Sequence, residues 1–365
     1  MPNNIVLAAD RLQWCGPLYY ITMLAEGLAA KGWNITILGR CAGPVQSHIW
    51  HRNIQVQALN SSTNLLVAPL TSSRFLQEVK PALIQSCDPA AHFWTRLSPG
   101  IRQKPVFLAL YLDMLPRNWF YRYPLRYLHR RDARICTPFR SVATDLRQLG
   151  IPAVKIQLVP LAIRKWSVPA KELVALRNSW HISGDEKLIV GFSSFAPNAQ
   201  IKLLVWAMDI LRHAYTQLRL VILGIGREKD PWEQFVRDLK LQSSVLLLPD
   251  VADFAPWLVL ADLVWLAADA PLSWFYAASA LRLGKTVIAI HTPVIREIIT
   301  HNETGILSPE DDPVALARYS QWCLESPDLS RHLACNAMNY ASENLDETKL
   351  LRAFEDLYTE VLAQA

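Results

Sequence analysis

Several things are scarce in this 365-residue chain. Its six cysteines (Cys15, Cys41, Cys87, Cys136, Cys323, Cys335) are scattered and form no C-x-x-C pair, so neither a zinc knuckle nor a redox dithiol is signalled. Buried, reduced thiols of a cytosolic protein are the expectation. No apolar run approaches the roughly 20 residues that a membrane-spanning helix needs. Near the N-terminus, Ile5–Ala9 is a short apolar run followed by Asp10 and Arg11, which does not read as a secretory signal. Tandem repeats and low-complexity tracts are absent. Charged residues make up 19% and the net charge is +5, too mild an excess to argue for nucleic acid but compatible with phosphates or an anionic membrane surface. What is plentiful is apolar side chain: at 51% hydrophobic, a chain of this length fills two α/β cores more naturally than one.

The order of elements supports that division. Ile5–Ala9 is short and wholly apolar, as a central parallel strand covered on both faces must be. A loop with Cys15-Gly16-Pro17 leads to a helix over Leu18–Lys31, with Ile21, Leu24, Ala25 and Leu28 on one stripe and Gly32 past its end. Ile35–Leu38 completes a βαβ start. Further strands are expected at Ala82–Gln85, Val106–Tyr111, Ile135–Cys136 and Ile156–Pro160. The segment Ile163–Asp185 has no strand pattern and reads as an irregular connection. A second series begins at Leu188–Gly191 and continues with a helix (Lys202–Tyr215), a strand (Arg219–Leu223), a helix (Trp232–Leu239) and a strand (Val245–Leu248). Leu350, Leu351, Phe354, Leu357, Tyr358 and Val361 form one stripe on a final helix, Glu347–Ala365. Domains are therefore expected at 1–165 and 166–345, with 346–365 packing back on the first.

The stretch Ala261–Leu307 is the most telling. Strand Leu263–Leu266, a loop, helix Trp274–Leu283, Gly284, strand Thr286–Ile290, then Arg296-Glu297 and Thr304-Gly305 closely resemble the nucleotide-binding half of family 4 glycosyltransferases (glycosyl transferase group 1). The resemblance is strongest over Leu188–Leu316 and traceable over residues 4–163. It implies an α/β protein of the GT-B fold: two doubly wound, Rossmann-like domains facing across a cleft.

By the resemblance, Gly16 stands in the family's Gly-rich loop, although a plain turn before a helix reads equally well. Asp113 matches a family aspartate, and the family histidine before it falls on Leu112, which can neither move a proton nor donate a hydrogen bond. His92 is a second polar candidate: it either faces the cleft, with Asp113 and Asp269 as the residues available for catalysis, or is a surface histidine. Phe192, in Gly191-Phe192-Ser193, stands where the family has the arginine that neutralises the donor diphosphate, and the family lysine falls within Pro197–Ala199. Gly224-Ile225-Gly226-Arg227 resembles a Gly-x-Gly turn at which backbone approaches a ligand, with Arg227 able to supply a phosphate charge. Val251 sits where family main chain holds the nucleobase. The paired glutamates that bind sugar and ribose hydroxyls are replaced by Pro271 and Ser279. Ser279 can still take one hydroxyl, and Asp269 can reach the sugar if the loop is rearranged. Trp274, Phe275 and Tyr276 either stack on the ligand or pack in the core. Glu297 fits the pattern as a family marker.

Pro116–Arg131 carries five arginines, one histidine and five aromatics. With Arg117, Trp119, Arg122, Arg126 and Arg130, it reads as a membrane or acceptor surface, or as a solvated helix whose aromatics pack inward. Two functions stay open. One is a divergent retaining glycosyltransferase that moves a sugar from a nucleotide-sugar donor to a glycan or lipid-linked acceptor, without metal or other cofactor. The other is an inactive relative that binds a glycan, a nucleotide or a protein partner. Either is expected in the cytoplasm, the first in peripheral contact with the inner membrane surface.

Overall fold

The computed structural model of the protein describes residues 4–12, 16–41, 52–59, 67–99, 105–115, 119–226, 228–251, 253–270 and 272–364; residues 11, 12, 16, 17, 40, 41 and 119–121 are described by their backbone alone. The chain divides into two compact units, Met1–Ala162 with Asp346–Ala365, and Ile163–Leu345. The division falls at Ile163, whose N–H donates to the carbonyl of Leu345 at 3.3 Å and so ties the two ends of the second unit together.

The first unit is built from β1 (Asn4–Leu12), α1 (Gly16–Ala30), β2 (Asn34–Cys41), β3 (Ile54–Leu59), α2 (Ala68–Val79), β4 (Leu83–Ser86), α3 (Pro89–Leu97), β5 (Val106–Leu110), α4 (Trp119–Leu128), β6 (Asp132–Thr137), α5 (Arg140–Gln148) and β7 (Ile156–Leu158). Its seven strands are parallel in the order β3-β2-β1-β4-β5-β6-β7. The central strands are apolar throughout because helices cover both faces: Ile5, Val6, Leu7 and Ala8 are completely buried.

The second unit contains α6 (Ala170–Ser179), β8 (Lys187–Ser194), α7 (Ile201–Leu211), β9 (Leu218–Ile225), α8 (Lys229–Asp238), β10 (Val245–Pro249), α9 (Ala255–Leu260), β11 (Leu263–Leu266), α10 (Ser273–Arg282), β12 (Thr286–Ile290), β13 (Ile306–Ser308), α11 (Pro313–Glu325) and α12 (Pro327–Asn344). Its six strands run parallel in the order β10-β9-β8-β11-β12-β13. The expectation of an irregular Ile163–Asp185 is corrected by α6. Pro169 precedes that helix and none of its residues is buried, so no apolar stripe marked it in the sequence.

The last helix, α13 (Glu347–Ala363), belongs to the first unit. Leu350, Phe354, Leu357, Tyr358 and Val361 are buried, and the Tyr358 hydroxyl donates to Gln85 Oε1 at 2.7 Å. Lys31 pairs with Glu355 and Arg134 with Glu360, which ties the middle and the C-terminal turn of the helix to the first unit.

Candidate functional site

In both sheets the strand order reverses once, between β1 and β4 and between β8 and β11. Doubly wound sheets bind ligands beyond the carboxyl ends of strands at such reversals.

In the second unit that position is laced shut by hydrogen bonds. Asp269, just past β11, accepts from Ser193 Oγ at 2.9 Å, Ser194 Oγ at 2.6 Å and the backbone N–H of Gln200 at 3.0 Å. Gln200 returns the tie, its Oε1 accepting from the N–H of Ala268 at 2.7 Å. Both carboxylate oxygens of Asp269 are thus committed inside the fold, joining β8, β11 and the start of α7. Ser194 and Gln200 were not legible as partners, because nothing local marks residues that meet across about seventy positions of chain.

Phe192, at the position of the family arginine, is completely buried. Its ring stacks on Tyr276 with centroids 4.0 Å apart and planes 18° from parallel, and meets Phe254 edge-on at 6.2 Å. Phe254 in turn packs at 5.2 Å against Phe275, Tyr276 and Trp166. Of the run Trp274-Phe275-Tyr276, all three side chains are buried, so the inward alternative holds for them. Ser279 lies in the same helix, wholly buried, and its Oγ has no hydrogen-bond partner among the described residues. An aromatic cluster occupies the level of the sheet at which the resemblance implies cations.

The two glycines at the end of β9, Gly224 within the strand and Gly226 just past it, serve the fold itself. A methyl group on Gly224 would collide with the Ser193 carbonyl, and one on Gly226, whose φ is +145°, with that of Phe195. The close backbone approach is therefore made by the chain to itself. Asp250, with φ +56°, turns the chain at the end of β10, donates its N–H to the Gly224 carbonyl at 2.7 Å, and positions Val251, which is half-buried. Arg227 and Pro271 lie outside the described residues. Glu297 ends a short 3-10 turn, Ile295–Glu297, and its carbonyl accepts from the Tyr340 hydroxyl at 3.4 Å.

In the first unit Gly16 opens α1. Asp113 is half-buried and its Oδ1 accepts from the N–H of Met114, while Leu112 is buried beside it. The reading of His92 is corrected: it is neither at a cleft wall nor at the surface but completely buried in α3. Its Nδ1 is 2.9 Å from the Tyr111 hydroxyl and its Nε2 is 3.4 Å from Asp132 Oδ2. Asp132 also receives Arg96 Nε at 2.9 Å, and Arg96 donates on to Leu108 O and Thr95 Oγ1. Burial, then the positive charge of Arg96, pushes His92 well below its usual range, so the imidazole is neutral. Burial raises Asp132 to about 6 even though Arg96 opposes the shift. Where the sheet order reverses, Asp88 caps α3 by accepting from the N–H of Ala91 at 2.7 Å and ties the cap to β1 by accepting from the N–H of Asp10 at 2.6 Å, and burial raises its carboxyl to about 6. The aspartate directly before a Pro-initiated helix was the available signal for that cap.

The arginine- and aromatic-rich stretch forms α4 and a short 3-10 turn, His129–Arg131. Arg117 lies outside the described residues and Trp119 is described by its backbone alone. Arg122 is not available to a surface partner, since it pairs with the buried Asp145 at 2.5 Å. Arg126, Arg130, Tyr123 and Tyr127 are exposed, with Arg130 over the Tyr127 ring at 5.6 Å. Arg126, Tyr127, His129, Arg130, Pro152 and Lys155 line a cavity of about 460 Å³. Lys155 spends its ammonium on the carbonyls of His129, Arg130 and Asp132, leaving the two arginines as the outward charges. Among the described residues no three His, Cys, Asp or Glu side chains are grouped to hold a metal ion, and no helix is long and apolar enough to cross a membrane.

These two parallel-sheet units, each with one reversal of strand order, define the GT-B class of glycosyltransferase folds. The sequence agrees: residues 16–162 match the glycosyl transferase 4-like domain, and residues 175–340 match glycosyl transferases group 1. The chain belongs to the family 4 glycosyltransferases. Among curated proteins it is similar to N-acetyl-alpha-D-glucosaminyl L-malate synthase of Bacillus anthracis, with 24% identity over 222 residues, 61% of this chain and 58% of that protein. It thus spans well under two thirds of that relative's length. Among solved structures it resembles HepE of Anabaena in complex with UDP and glucose (TM-score 0.85, 16% identity, 98% of this chain and 100% of that one). It also resembles sucrose-phosphate synthase of Thermosynechococcus elongatus (TM-score 0.81, 17% identity, all of both chains).

Proposed function

We propose that this protein transfers a sugar, with retention, from a nucleotide-linked donor to an acceptor hydroxyl, and that the second unit holds the nucleotide chiefly by main-chain contact, with fewer charges than its relatives use. The supporting observation is the backbone turn at the end of β10, where the Asp250 N–H donates to the Gly224 carbonyl and Val251 follows, the position at which the resemblance implies a main-chain contact with the base. The relative HepE holding UDP and glucose on the same fold supports the donor class. No resident metal enters the proposal, since the departing diphosphate is to be stabilised by main-chain dipoles and Arg227. The acceptor is a glycan or a lipid-linked sugar carrying phosphate, because Arg126 and Arg130 leave two outward charges beside exposed tyrosines. The same surface suits peripheral contact with an anionic membrane.

A second reading is favoured by one specific observation: the position of the family arginine is filled by a buried, stacked phenylalanine, while Asp269 and His92 are engaged elsewhere. On that reading the scaffold binds without transfer. Calorimetric titration with UDP, GDP and ADP and their common sugar conjugates, with and without Mg²⁺, separates the two. Binding of one nucleotide and its sugar form, followed by release of that nucleotide on adding acceptor, supports transfer. Binding without nucleotide release, or a panel without heat, supports the inactive scaffold.

A further inference from the structure

Two turns of the first unit meet at the cavity of about 460 Å³ lined by Arg126, His129, Arg130, Gly150, Pro152 and Lys155. The turn His129–Arg131 runs directly into β6 at Asp132, and the turn Ala153–Lys155 runs directly into β7 at Ile156. The cavity therefore lies at the amino ends of these strands. Ligands that react on doubly wound sheets lie beyond the carboxyl ends. β6 is six residues long, so roughly 20 Å of strand, at about 3.3 Å per residue, separates this cavity from that edge.

Its charge is one-sided. No Asp or Glu is among the lining residues. The aspartates of the adjoining elements, Asp132 and Asp145, are buried and held by Arg96 and Arg122. No ion pair among the described residues involves Arg126 or Arg130. Helices α4 and α5 both end beside the cavity, and each end carries about half a negative charge. Their last carbonyls are already engaged. Leu125 O lies 3.2 Å from His129 Nδ1, and the carbonyls of Asp145, Leu146 and Arg147 accept from the N–H groups of Leu149, Ile151 and Gly150. Lys155 covers the carbonyls of His129, Arg130 and Asp132. Three cations, Arg126, Arg130 and Lys155, thus stand against roughly one negative charge. A cationic ligand is repelled, and a neutral sugar leaves that surplus unpaired. A carboxylate fills one guanidinium fork with its two oxygens, whereas a phosphomonoester has three free oxygens and up to two charges, enough for both forks. We propose that this cavity is a binding site for the phosphate of a phosphomonoester, set apart from the position of sugar transfer. The site holds whether or not the protein transfers sugar, and a phosphate seated in it is not the one joined to the reacting sugar of an acceptor. Val154, in the turn between the lining Pro152 and Lys155, is 79% exposed. The phosphate is therefore either that of a lipid headgroup beside an apolar surface or that of a soluble sugar phosphate.

Calorimetric titration of the full chain with glucose 6-phosphate and with inorganic phosphate tests the soluble source, with glucose and acetate as controls. Flotation with phosphatidylcholine vesicles containing phosphatidate, against phosphatidylglycerol at matched charge, tests the headgroup. Saturable binding of either soluble phosphate supports the site and assigns it a soluble ligand. Tighter flotation with phosphatidate, without soluble binding, supports the site and assigns it a lipid. Excess UDP should leave the binding unchanged. Arg126→Gln and Arg130→Gln, both at exposed positions, should each weaken it roughly tenfold, the loss of one charge-assisted hydrogen bond. Displacement by UDP, acetate bound as tightly as phosphate, unchanged affinity in either variant, or neither soluble binding nor a preference for phosphatidate would overturn the proposal.

Discussion

Replacing Phe192 by arginine puts back the residue that the family carries at the end of β8, and it tests whether the aromatic cluster has closed that position to charge. Phe192 is completely buried, stacked on Tyr276 at 4.0 Å and backed by Phe254. A guanidinium there needs a carboxylate, and the aspartate that closes the reversal, Asp269, is already bound to Ser193, Ser194 and Gln200. An uncompensated buried charge costs about 3–5 kcal/mol, a large part of the roughly 5–15 kcal/mol that holds a domain folded. Phe192→Ala loses a similar 3–5 kcal/mol through its cavity. A double-mutant cycle with Tyr276→Leu should assign about 0.5–1.5 kcal/mol to the ring pair itself. Urea unfolding followed by tryptophan fluorescence reads all five proteins, the parent and four variants. Phe192→Arg is thus expected to unfold at markedly lower urea and to gain no nucleotide affinity. A variant as stable as the parent that binds UDP more tightly would refute the reasoning, because it would show an arginine-ready site behind a replaceable ring.

Four further expectations follow from the same contacts. Gly224→Ala places a methyl group against the Ser193 carbonyl and should lower the stability of the second unit by about 1–3 kcal/mol in urea unfolding; a loss of nucleotide affinity at unchanged stability would return the glycine to a ligand role. Arg96→Met strands the buried Asp132 and should cost about 3–5 kcal/mol, most of it recovered when Asp132→Leu is added; no recovery would place the loss in packing. Between pH 7 and 5 two buried groups of the first unit oppose each other. Asp132 takes up its proton near 6 when folded and near 3.8 when unfolded, so its contribution rises as pH falls; His92 is lowered when folded, so its contribution is lost as pH falls below 6.5. The variant His92→Asn should therefore become relatively more stable toward pH 5, as read by urea midpoints, and parallel curves for parent and variant would contradict the assignment. Finally, Arg126→Ala with Arg130→Ala should weaken sedimentation with phosphatidylserine vesicles by roughly thirtyfold, at about 1 kcal/mol per arginine, and equal sedimentation would remove this surface from any membrane role.

The two α/β series, their parallel strands and the family could be read from sequence because the signals are local. A buried strand such as Leu263–Leu266 is apolar whatever surrounds it, and Gly284 marks the end of α10 from one position. The missing arginine and glutamates were legible for the same reason: an aligned position either carries a charge or does not. What those positions became was settled only in three dimensions. Phe192 and Tyr276 face each other across the reversal of the sheet, and Asp269 reaches serines 76 and 75 residues away. His92 looked polar and available in Asp88-Pro-Ala-Ala-His92, yet α3 turns it into the core, where Tyr111 and Asp132 close around it. Helix α6 had no buried face to give it a period. Local composition determined the elements and the family, whereas the partners of each polar group, and so the chemistry still available to them, were decided by which distant strand ends the fold brought together.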